Sequence, residues 1–88
     1  MRDENFDLPV TIVTETSGHK LTVTRTAQAA VILLNRWPEA HRGREYRSAL
    51  KAMMDAMEQR RDVSVARKAF AVAAKEANVL VKDGDRAN

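Results

Sequence analysis

Two histidines, His19 and His41, are the first places to look for chemistry, and a metal ion would need further ligands converging on them. His19 falls in a Thr-Ser-Gly-His turn and His41 in a polar loop, neither with a second ligand at helical spacing, so solvated imidazoles are the simpler reading. Asp55 and Glu58 share one helix and can lie close together. Glycosidic chemistry needs two carboxylates facing each other across a cleft, which one helix face does not provide. Ser17, Ser48 and Ser64 lack a strand-turn-helix elbow and an identifiable base. Gly18, Gly43 and Gly84 are isolated, so no phosphate-cradling loop is present. The chain has no cysteine, which excludes a disulfide framework, a thiol nucleophile and thiolate zinc sites together. These residues specify no reaction and no cofactor, and the reading is non-enzymatic.

A second chemistry is electrostatic. Between Arg36 and Lys51 stand five bases (Arg36, Arg42, Arg44, Arg47, Lys51) and two acids (Glu39, Glu45), an excess of +3 that equals the formal charge of the whole chain. The excess is therefore local. Arg42, Arg44, Arg47 and Lys51 become candidate contacts for an anion or a nucleic acid, helped by the amides of a helix start. Against this, single-strand binders lay several aromatics in a positive groove, and the four aromatics here read mostly as core. Ribbon-helix-helix repressors place one strand before two helices, not a hairpin. Nucleic acid is thus the second reading, behind a solvated charged face.

Val10-Thr11-Ile12-Val13-Thr14-Glu15 after Pro9 is rich in β-branched residues, and Lys20-Leu21-Thr22-Val23-Thr24 alternates with period two. Gly18 supplies the turn between them. Val10, Ile12, Leu21 and Val23 then share a buried face, with Lys20, Thr22 and Thr24 outward. A helix capped by Thr24 or Thr26 carries Ala29, Ala30, Leu33, Leu34 and Trp37 inward and must stop at Trp37-Pro38. Tyr46, Ala49, Leu50, Met53 and Met57 make the inner stripe of a second helix. A third, started by Ser64, buries Ala66, Ala69, Phe70, Ala73 and Ala77, with Asn78 as a left-handed terminator. Val79-Leu80-Val81 suits a short optional third strand better than more helix.

The predicted fold is α+β: an N-terminal hairpin, then three helices packed on one face of a small antiparallel sheet. Residues 1–8 read as a flexible arm, 9–81 as a single domain and 82–88 as a disordered tail. Trp37, Pro38, Gly18, Tyr46 and Phe70 are the structural residues. The longest apolar run, Ala29 to Leu34, is far short of a membrane span, and the acid-rich start does not suit a secretory signal, so a cytoplasmic protein without membrane contact is expected.

A domain of 88 residues has a thin core, so a partner surface would help it. Val31 and Ile32, beside the core stripe of the first helix, and Met54, off the stripe of the second, are the candidate interaction surface. The leading expectation is a small non-catalytic protein-interaction module, a homodimer or an adaptor for a small protein partner.

The order of a Pro-Val-Thr strand, a Ser-Gly turn, a Thr-Val-Thr strand, Ala29-Ala30, Leu33-Leu34 and Arg36-Trp37-Pro38, then Gly43, Tyr46, Ala49-Leu50, Asp55-Ala56, Ala66-Arg67, Ala69-Phe70 and Ala73-Ala74, resembles domain of unknown function family 982, short proteins of rhizobia and related α-proteobacteria. The likeness covers residues 9 to 81, and the Leu-Leu-x-x-Trp-Pro corner is its most specific portion. It implies a small stand-alone bacterial protein and supplies no activity. It also implies a polar residue near position 31, a cysteine near 53 and a glycine near 59, from which Val31, Met53 and Gln59 depart.

Overall fold

The computed structural model describes residues 3–13 and 18–82. Its elements are strand β1 (Asn5–Val13), strand β2 (Lys20–Arg25), helix α1 (Thr26–Asn35), a 3-10 turn (Glu39–His41), helix α2 (Arg44–Met57), helix α3 (Val63–Glu76) and strand β3 (Leu80–Lys82). The three strands form an antiparallel sheet in the order β2-β1-β3, so the fold is α+β and the segment after Asn78 does supply a third strand. Val10 pairs with Val23 and Ile12 with Leu21, which puts the predicted apolar set on the helix-covered face. Gly18 has φ +70°, the backbone a glycine adopts without strain; Thr14 and Glu15, predicted as strand, and Thr16 and Ser17 of the predicted turn lie outside the described residues.

Strand β1 begins four residues ahead of Pro9, so residues 5–8 belong to the sheet and are not a flexible arm. Phe6 is buried in the core, and Glu4 exchanges two hydrogen bonds with Thr26, its amide donating to Oγ1 and its carbonyl accepting from the Thr26 amide, both at 3.0 Å. Pro9 has no amide hydrogen to give a neighbouring strand, and the β1–β2 register shifts between Asn5 and Val10, around it. The carbonyls of Leu8 and Pro9 accept from the Arg67 guanidinium, at 2.6 and 3.5 Å. An arginine on α3 thus satisfies polar backbone at the irregular stretch of the central strand. Of the predicted tail, Lys82 closes β3 and residues 83–88 lie outside the described residues.

Neither Thr24 nor Thr26 caps α1. The helix starts at Thr26, and the carboxylate of Asp3 accepts from the Ala27 amide at 3.0 Å and from Thr26 Oγ1 at 3.4 Å. A carboxylate at a helix N-terminus satisfies a free amide and complements the dipole. Helix α3 likewise starts at Val63 behind Asp62, not at Ser64.

Helices α2 and α3 end alike. Gln59 and Asn78 take left-handed φ values of 64° and 60°. The Arg60 amide donates to the Asp55 carbonyl and the Gln59 amide to Ala56; the Val79 amide donates to Ala74 and the Asn78 amide to Lys75. Both are Schellman ends.

Helix α1 lies against β2, α3 against β1 and β3, and α2 packs chiefly on α1 and α3. The sheet is therefore covered by two helices, which the third covers in turn. Trp37, 3% exposed, packs its ring 5.6 Å from Phe70 and 6.3 Å from Tyr46, joining the corner to α2 and α3. Its indole Nε1 is buried with no hydrogen-bond partner among the described residues, a cost the surrounding apolar contacts must exceed.

Candidate interaction surface

The exposed apolar surface on α1 keeps one of its two predicted residues and exchanges the other. Val31 is 54% exposed, but Ile32 is only 5% exposed and belongs to the core; Leu34, assigned inward by its spacing, is 51% exposed. The buried arc runs through Thr26, Ala29, Ala30, Ile32 and Leu33, turned from the predicted stripe toward Ile32. The cause is tertiary: Thr26, fully buried and bonded to Glu4, fixes the rotation of the helix about its axis. Val31 and Leu34, three residues apart on one helical face, remain turned outward. Met54, expected at the surface, is half-buried and packs against the core, where its flexible side chain fills space between the helices.

The basic residues divide. Arg42 is bound to its own chain: Nε and Nη2 donate to the Trp37 carbonyl at 3.3 and 3.1 Å, and its guanidinium lies 5.4 Å from the centre of the Tyr46 ring. It straps the Trp-Pro corner while remaining exposed. Lys51 Nζ lies 3.4 Å from Asp55, one helical turn further on, and Arg61 reaches the same carboxylate at 3.6 Å. Arg44 and Arg47 are exposed and have no ion-pair partner among the described residues. With Lys51 they fall on one face of α2 at steps of three and four. His41 meets Glu76 at 3.2 Å, tying the 3-10 turn to the end of α3. No group of three or more metal-capable side chains occurs among the described residues.

A cleft of about 460 Å³ is bounded by Glu4 and Gln59 to Val63. It is polar and wide open, and its two arginines are already engaged, Arg60 with Glu58 at 3.4 Å and Arg61 with Asp55.

One side chain not singled out in the sequence governs a sheet edge. Gln28, on the first turn of α1, donates from Nε2 to the Thr22 carbonyl at 3.2 Å and accepts at Oε1 from the Thr24 amide at 3.0 Å. Its amide group occupies the position a neighbouring strand would take along β2. That edge is blocked.

A family model described as "Protein of unknown function (DUF982)" matches residues 8–81. The chain belongs to the DUF982 family. The DUF982 match runs from within β1 to within β3 and takes in all three helices, so the Trp37-Pro38 corner and the helix-covered sheet lie inside it. No curated protein and no solved structure matches the chain. No helix among the described residues is long and apolar enough to cross a membrane.

Proposed function

We propose that this DUF982 protein is a non-catalytic interaction module that self-associates through the outward face of α1. The observation that carries the reading is the pair Val31 and Leu34, both more than half exposed and adjacent on one helix face. Ala27, half-buried one turn before Val31, lets a second helix approach closely. In a two-fold arrangement Val31 of one copy meets Leu34 of the other, and the contact is self-complementary. A stable interface covers roughly 800 Å² per partner, about one-seventh of the chain's 5653 Å² surface, so these two side chains form its centre and Gln28, Asn35 and Arg36 its polar rim. A cytoplasmic setting belongs to the same proposal.

Sedimentation equilibrium over a wide concentration range tests it. The wild-type chain is expected to shift toward dimer mass as concentration rises, and Leu34→Asp to remain monomeric with unchanged circular dichroism. A monomer throughout, or a variant that dimerises as well as wild type, overturns the proposal. Ile32→Asp cannot serve, because it would bury a carboxylate.

A second reading rests on the unpaired row of Arg44 and Arg47 beside Lys51, which offers positive charge to a phosphate-rich partner. Binding to random DNA and RNA across a salt series would weaken steeply with salt and fall in Arg44→Gln and Arg47→Gln variants. Absence of binding at low salt removes this reading.

A further inference from the structure

Strand β3 closes the sheet on the side away from β2, and among the described residues no side chain is bonded along its outer edge as Gln28 is along β2. The Val13 amide donates to the Val79 carbonyl at 2.9 Å, so that carbonyl faces β1, while the Val79 amide goes to Ala74. Leu80, the partner of Ile12, comes next in the ladder and turns its own N–H and C=O away from β1; the register shifts just beyond it, where Lys82 and not Val81 pairs with Thr11. Beside that edge runs a groove of about 190 Å³ lined by Lys68, Ala71, Val72, Lys75 and Leu80. Its floor is apolar, with Val72 43% exposed, and its rim carries two exposed lysines seven residues apart on α3. Neither lysine has an ion-pair partner among the described residues.

We propose that the β3 edge and this groove receive an extended peptide segment in which apolar and acidic side chains alternate, added to the sheet as a fourth strand. Main-chain bonds to Leu80 supply the pairing. Alternate side chains of the added strand then lie over the α3 flank, where an apolar one covers Val72 and Ala71 and a carboxylate reaches Lys68 or Lys75. Charge selects this occupant over a second copy of the chain, because two β3 edges placed together would bring two lysine rims into one interface. The groove lies on α3 and β3, so the inference is independent of self-association on α1.

The test uses the full chain, isotopically labelled, titrated with a blocked octapeptide of alternating glutamate and valine. Its lysine-and-valine counterpart is the charge control. Saturable shifts are expected at the Leu80 and Val81 amides, with slowed hydrogen exchange at Leu80 in the complex. Affinity should drop about tenfold or more in a Lys68→Glu, Lys75→Glu double variant, whose changes are at exposed positions and leave the fold intact. The lysine-and-valine peptide should not bind. No saturation at millimolar peptide, equal binding of both peptides, or shifts confined to α1 or α2 would each overturn the proposal.

Discussion

Arg42 illustrates how a charged residue can serve its own fold. Two hydrogen bonds to the Trp37 carbonyl and a place beside the Tyr46 ring hold the chain as it leaves the tryptophan-proline corner. Arg42→Ala is expected to cost about 1 kcal/mol in urea unfolding, and Arg42→Lys to recover little, because an ammonium cannot present the planar fork. Gln59 carries a different lesson. Its φ of 64° is one that a side chain adopts at a cost and glycine adopts freely, so Gln59→Gly should raise stability by roughly 0.5–1 kcal/mol by the same measurement. Trp37 was legible as a landmark because a large apolar side chain before a proline must find cover; Arg42 was not, because its partner is a backbone carbonyl that composition cannot reveal. Asp3 was hidden for a similar reason. It caps a helix that begins 23 residues later, and no local pattern joins the two.

Among the elements, helix and strand periodicity located all three helices and the facing sides of the hairpin, since spacing of three and four or of two is a local property. Rotation of a helix about its axis is not. Ile32 and Leu34 are both apolar and two residues apart, and the bonds between Thr26 and Glu4 decide which goes inward. The consequence is measurable by thermal or urea unfolding: Ile32→Asp should cost more than about 3 kcal/mol, whereas Leu34→Asp should stay within about 0.5 kcal/mol. The sheet edges show the same dependence on tertiary position. Gln28 reads as an ordinary helix residue until its amide is found against Thr22 and Thr24. Gln28→Ala should speed hydrogen exchange at the Thr24 amide while leaving that of core strand residues such as Val10 unchanged; equal exchange in both proteins would show that the side chain does not protect this edge.

For the whole molecule, the decisive fact is how little apolar surface is left outside a small core. Phe70, Leu33, Met53, Val10 and Val23 are fully buried, and among the described residues the long aliphatic side chains left more than half exposed are Val31 and Leu34, side by side on α1. A thin core gains from covering that pair, and in the proposed dimer a second copy of the same helix supplies the cover. The basic row on α2 and the groove beside β3 lie on other elements, so partners of different chemistry could occupy them without competing for α1. Self-association through α1 is tested most sharply by an isotope-filtered nuclear Overhauser experiment on a mixture of labelled and unlabelled chains at high concentration. Intermolecular cross-peaks to the methyl groups of Val31 and Leu34 are expected. Their absence, or intermolecular contacts that involve only the methyls of Val65, Val72 or Val81, would contradict it.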